Sequence, residues 1–317
     1  MRGLRVRLFE RDTFVGIRPG ETLHPGVEPL LEQLGVNRVS FAAVIGSRHE
    51  GIVVEWGGRE RFVPFGADSL GSWRGFQVCR PAFDAMLLER ARELGVDVCQ
   101  PCAANAVLMR DGADFFVASA AGDVSARMVI DASGRSQWLC RRMGIDRSQH
   151  SPRLIARYGY ADGVWPERDK APRLAGNAQG WLWTAMIRPG TYQWTHVALG
   201  EGANALDGVP EEMRHLVPRG QPRGADVTWR AAVEPAGTGW FMVGDAAAIL
   251  DPSSSHGVLK ALVSGITAGY LVHGVLRGNA DALAAASAYR DWLSGWFAQD
   301  VSELARFYRE LGVAGFG

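Results

Sequence analysis

No charge of one sign dominates this chain: 34 Lys and Arg side chains balance 34 Asp and Glu. That balance removes the electrostatic basis for gripping a phosphate backbone or an anionic bilayer, so neither nucleic acid nor membrane is an expected partner. Cysteine is scarce, with four in 317 residues. Four are too few to staple a chain this long, which leaves the cytoplasm as the expected compartment. Cys99 and Cys102 form a single CxxC with no second pair, so no metal site is expected. The charged N-terminus has no apolar stretch behind it and shows no secretory leader. One long apolar segment exists, 258–276, but Lys260, Ser264, Gly265, Thr267, Gly269 and His273 interrupt it. It reads as a buried helix in close contact with other backbone rather than as a membrane span.

A glycine loop is also missing. Arg5 to Glu10 reads as a strand ending in an acid. In a dinucleotide-binding fold such an acid binds a ribose and lies roughly 20 residues beyond a GxGxxG turn. Here no glycine loop precedes Glu10. The expectation is that a strand–loop–helix unit of roughly 30 residues is absent ahead of this chain, with residues 1–4 the tail of its helix.

What is present centres on Trp240-Phe-Met-Val-Gly244-Asp245, followed by small residues, Pro252, Ser255, His256, Gly257 and Val258. The apolar run reads as a buried strand stopped at Gly-Asp, followed by a turn and a helix start. A carboxylate at a strand end can accept hydrogen bonds from sugar hydroxyls. The helix start offers unpaired N–H groups and partial positive charge, which favour an anion by roughly 0.3–2 kcal/mol. Gln77 to Leu88 supplies a strand end, Arg80, and a proline opening an amphipathic helix. Met128 to Arg135 is a buried strand ending in Asp131-Ala-Ser-Gly134, where glycine permits close backbone approach.

In this order the motifs resemble those of FAD-dependent aromatic hydroxylases and flavin-dependent halogenases. The resemblance runs from Glu10 to the last helices. It implies an α/β fold: a Rossmann-like FAD-binding domain, N-terminally truncated, interleaved with an antiparallel β-sheet substrate domain and followed by C-terminal helices. The expected partition is 1–46, 76–145 and 233–275 for FAD, 47–75 and 146–232 for the substrate sheet, and 276–317 for the helices. It implies that Glu10, Arg11, Arg80, Asp131, Gly134, Gly244, Asp245, Pro252, Ser255, Gly257 and Val258 contact the cofactor. Either NAD(P)H or a flavin reductase would supply electrons.

Elsewhere, 27–35 reads as a helix, 41–65 as strands, 115–119 with 123–126 as a hairpin, and 281–310 as one or two helices. Those last helices should turn Trp292, Trp296, Phe297 and Phe307 inward. Gly180-Trp-Leu-Trp-Thr-Ala and Tyr192-Gln-Trp-Thr-His-Val alternate like antiparallel strands. Trp-x-Trp resembles a halogenase signature, but Met186-Ile187-Arg188 does not complete it. A halogenase also needs a lysine near the second-layer strands and a glutamate in the flavin motif. Arg48, His49 and Glu50 stand near the first position and Ser254 at the second. The expectation is therefore a monooxygenase acting through a flavin C4a-hydroperoxide on an electron-rich ring. His256, His49 and Glu21 are the candidates for moving its proton. Halogenation and a truncated, non-catalytic binding protein are the alternatives. The Gly20-Glu-Thr-Leu-His-Pro-Gly, Gly-Trp-x-Trp-Thr-Ala and Tyr-x-Trp-Thr segments resemble a narrower group that oxidises a Trp in a partner polypeptide. The substrate is then an aromatic small molecule or such a polypeptide.

Overall fold

The computed structural model describes residues 3–14, 18–110, 114–166, 171–199 and 206–316. Its largest layer is an eight-stranded sheet. The path runs Val217–Pro218, Ile155–Asp162, Thr191–Ala198, Gly180–Arg188, Arg173–Asn177, Gly51–Trp56, Arg59–Pro64, and Arg223–Asp226 pairs alongside Ile155–Asp162. The strands between residues 173 and 198 are joined by short turns and pair antiparallel, with Trp183 opposite Thr195. One pair is parallel: Arg173–Asn177 lies beside Gly51–Trp56, so the sheet expected to be antiparallel is mixed. More than a hundred residues separate those strands, and a long connection of that kind permits the parallel direction.

The second layer carries the nucleotide-type elements. Two parallel ladders form, Arg7–Phe9 with Asp97–Cys99 and Val129–Asp131 with Trp240–Met242. They belong to separate sheets rather than one continuous one. A small sheet of Thr22–Leu23, Gly75–Val78 and Ile45–His49 joins the layers. Gly46 makes that junction possible, because a Cβ there would sit 1.7 Å from the Ile187 carbonyl oxygen of the large sheet. Next to it, the Ser47 hydroxyl donates to the Met186 carbonyl at 3.3 Å.

Three apolar clusters hold the layers. Phe241 and Met242 pack with Tyr289 and Leu293 of the last helix, and the Tyr289 hydroxyl donates to the Met242 carbonyl at 2.6 Å. Trp181, Trp229, Tyr308 and Phe316 form the second. Leu23, Val27, Phe76 and Phe83 form the third. Burying one such large side chain contributes roughly 1.5–3 kcal/mol. Trp181, Trp183 and Trp194 of the large sheet are thus packing groups, all buried, as is Trp229 beyond its edge strand.

Several local expectations are corrected. Residues 41–44, expected as strand, belong to a helix, Arg38–Val44, because Asn37 Oδ1 caps the Val39 N–H at 2.8 Å and starts a turn that buries Phe41. The last segment is one helix, Ala282–Glu310, capped by Asp281. On it Phe297 is buried and Trp296 and Phe307 are half-buried, but Trp292 is 38% exposed. Tyr308 takes the inward position, because the helical period places it on the face shared with Phe297. At the N-terminus, Gly3 lies in a turn with φ +76 and Leu4 is not helical, and residues 1 and 2 lie outside the described residues.

The Gly257–Leu276 helix is the one described helix long and apolar enough to cross a membrane by length and composition. In this fold Ser264, Ala268 and Val272 face inward. Its close backbone approach is made at Ser264, whose hydroxyl accepts the Gly244 N–H at 2.9 Å. Gly265 and Gly269 have open space where a Cβ would stand, so the glycines are not what the packing requires.

Candidate active site

The Trp240–Met242 strand delivers Gly244 and Asp245 to the mouth of the Gly257–Leu276 helix. Gly244 adopts φ +56, and a Cβ there would lie 3.0 Å from Ala261, so the chain reverses close above the helix. Asp245 is half-buried, and among the described residues its carboxylate makes no hydrogen bond or ion pair. Burial raises its pKa, while the fields of Arg135, Arg80, Lys260 and Arg230 pull it back. An acceptor so placed, with no partner of its own, is expensive unless a ligand donates to it.

The helix mouth beside it is also open. No side chain caps the helix at His256. Ser255 holds φ +52, and Gly257 and Gly134 both face open space where a Cβ would stand. Pro252 and Gly257 are exposed, and Ser255 and Val258 half-buried. An unpartnered carboxylate, free helix amides and uncovered glycines fit a flavin nucleotide.

Other expected contacts are occupied by protein. Asp131 accepts the Ser133 and Leu139 N–H groups, each at 2.8 Å, and so fixes the turn that carries Gly134. Arg80 donates to the Pro19 carbonyl at 2.9 Å and pairs with Asp84 at 3.2 Å, which ties down the loop before Glu21. Glu10 accepts the Asp12 N–H at 2.8 Å, and exposed Arg11 pairs with Asp12 at 3.3 Å.

Beneath the motif a buried network fixes the Pro252 turn. Asp251 Oδ2 accepts the Trp229 indole N–H at 2.6 Å and the Tyr308 hydroxyl at 3.1 Å, and Oδ1 accepts the Ser253 N–H at 2.9 Å. Tyr308 in turn accepts the Trp181 indole N–H at 2.9 Å. Trp181 of the large sheet, Tyr308 of the last helix and the Pro252 turn are thus tied together through one carboxylate. Asp251→Ala leaves the buried Trp229 indole N–H without its acceptor and removes the best acceptor of the Tyr308 hydroxyl, so it should destabilise by about 3 kcal/mol, read by urea unfolding.

Of the three proton candidates, His256 and His49 are linked through His24 and Phe65, and Glu21 is held by Tyr160. Glu21 is buried and hydrogen-bonded by the Tyr160 hydroxyl. Burial pushes its carboxyl up to about 7, against the opposing influence of Tyr160 and Arg80. His256 lies 5.1 Å, centroid to centroid, from His24, which lies 5.6 Å from Phe65. Phe65 lies 5.4 Å from His49. Burial holds His256 and His49 at about 4 and pushes His24 below its ordinary value, so all three rings are neutral near pH 7. His24 was not among the sequence candidates, although it stands inside the Gly20-to-Gly26 turn. Tyr160 was missed too, since nothing local ties residue 160 to residue 21.

The architecture is the mixed α/β fold of FAD-dependent halogenases and monooxygenases. CmlS, a flavin-dependent halogenase, superposes with TM-score 0.84 at 22% identity, over 96% of this chain and 60% of that one. The peptidyl tryptophan dihydroxylase QhpG, essential for tryptophylquinone cofactor biogenesis, superposes with TM-score 0.72 at 19% identity, over 98% and 70%. In sequence, the tryptophan 2-halogenase of Chondromyces crocatus is 30% identical over 96% of this chain. A 1H-pyrrole-2-carbonyl-(peptidyl-carrier protein) brominase of Pseudoalteromonas luteoviolacea (strain 2ta16) is 29% identical over 97% of this chain and 80% of its own length. The chain spans 63% of the length of the tryptophan halogenase. No protein-family profile matches.

Proposed function

We propose that this chain is an FAD-dependent monooxygenase that hydroxylates an electron-rich aromatic ring. The half-buried, unpartnered Asp245 carboxylate at an uncapped helix mouth carries the reading. Asp245 would hold the ribityl hydroxyls. Gly134 and Gly257 leave room for the cofactor's approach, and the amides of the helix start favour negative charge there. When bound, reduced FAD supplies the activated oxygen, with electrons from NAD(P)H or a flavin reductase. Glu21 and Tyr160 form a buried pair that can hold one proton near neutral pH. His24, His256 and Phe65 form a close-packed neutral wall that limits water.

Halogenation is the second reading, favoured by the halogenases among the sequence relatives. Two features favour hydroxylation over it. Ser254 occupies the glutamate position, although its side chain lies outside the described residues. The only lysine among the described residues, Lys260, is bound by Asp300 and lies 4.3 Å over the Trp296 ring. It is therefore not free to capture an oxidised halide. Reduced, FAD-loaded protein should add oxygen to an indole or a peptidyl Trp in the presence or absence of bromide, as read by mass spectrometry. A brominated product without an oxygenated one would refute hydroxylation. A Trp-containing polypeptide is the proposed substrate in preference to free tryptophan, on the likeness of the Gly180–Arg188 and Thr191–Ala198 strands to the Trp-oxidising group.

A further inference from the structure

Two backbone contacts fix the tautomers of the imidazoles around Phe65. His49 Nδ1 faces the Gly51 carbonyl at 3.1 Å, and a carbonyl can only accept, so Nδ1 carries the proton. The opposite nitrogen, Nε2, is then a bare acceptor. It is buried and has no hydrogen-bond partner among the described residues. His24 is the reverse case: Nδ1 accepts the Gly26 N–H at 3.0 Å, so its proton lies on Nε2. Phe65, half-buried, covers the space between the two rings. Gly75 closes the other side, since a Cβ there would lie 2.8 Å from both His49 Cε1 and Phe65 Cε2. Phe65 thus packs against both imidazoles, and His49 is left with one buried, unsatisfied acceptor. Buried acceptors are nearly always paired, so an orphan at such a place calls for a donor.

We propose that this is a subsite for an aromatic ring carrying one hydrogen-bond donor, a phenol O–H or an indole N–H. The incoming ring displaces Phe65 and gives its donor to His49 Nε2. His49 thereby becomes the residue that sets specificity: it accepts a donor-bearing ring and rejects the same ring when the donor is methylated. The inference rests on the aromatic-oxidation reading for its biological meaning, but binding at the subsite does not require the flavin.

The test uses the flavin-free full chain with ¹⁵N-labelled histidine, titrated with indole and 1-methylindole, and with phenol and anisole. The expected result is a shift of the His49 Nε2 resonance by indole or phenol and not by the methylated twin. The donor-bearing ring should bind about tenfold tighter than its twin. His49→Phe should erase that ratio, and Phe65→Ala should tighten binding of the donor ring several-fold because no side chain has to be displaced. Equal binding of the twins with an unmoved His49 signal would overturn the proposal, as would an absence of ring binding to both wild type and Phe65→Ala. The indole and phenol arms separate the two donor types. A parallel FAD titration separates this inference from the flavin reading. Ring discrimination without FAD binding would remove the flavin reading alone, and FAD binding without ring discrimination would remove the subsite alone.

Discussion

Asp245→Asn should move stability and cofactor affinity in opposite directions. The carboxylate is half-buried, no donor among the described residues reaches it, and burial already raises its pKa. Replacing it with a neutral amide removes the cost of desolvating a charge that nothing in the protein satisfies. The flavin-free protein should therefore gain about 1–2 kcal/mol in urea unfolding. The same change should weaken FAD binding roughly ten- to hundredfold, the loss expected when hydrogen bonds to a charged acceptor become bonds to a neutral one. A residue that served the fold would show the reverse stability effect. Asp251 is the internal control, because its oxygens are taken by Trp229, Tyr308 and Ser253 and its loss should only destabilise.

Glu21→Gln should have the second large effect, and pH should determine its size. The folded carboxyl titrates at about 7, against 4.5 when unfolded. Between those values the folded state keeps a proton that the unfolded state releases, so stability contributed below 4.5 declines as pH rises and is lost above about 7. The difference corresponds to about 3 kcal/mol. Glutamine keeps an oxygen to accept the Tyr160 hydroxyl but cannot ionise. The variant should match wild type near pH 4 and exceed it by about 2–3 kcal/mol at about pH 9, by urea unfolding at each pH. Turnover should fall by about 10²-fold or more with little change in KM, since glutamine cannot accept a proton. Equal stability difference at both pH values would mean that the Glu21 carboxyl is ionised throughout.

Some of this was legible in the sequence because it is local. The strand that ends at Gly244-Asp245, the proline-opened helix after Arg80 and the alternation of 180–198 each depend on neighbours a few residues away. Residues 41–44 were misread because the start of their helix depends on a single side chain, Asn37, beside residues that suit either state. The protein partners of Arg80 and Asp131 were not legible for a different reason. Both types suit a cofactor, and only the folded chain shows that Asp84, the Pro19 carbonyl and two backbone amides claim them. The Glu21–Tyr160 pair and the His24–Phe65–His49 row join residues from separate sheets and loops, so no spacing in the chain could reveal them.

The most direct measurement is an equilibrium titration of the full chain with FAD, followed by quenching of flavin fluorescence, for wild type and Asp245→Asn in parallel. The account predicts saturable one-to-one binding by wild type and binding at least about tenfold weaker by the variant. Indistinguishable curves, or no binding by either protein, would contradict it.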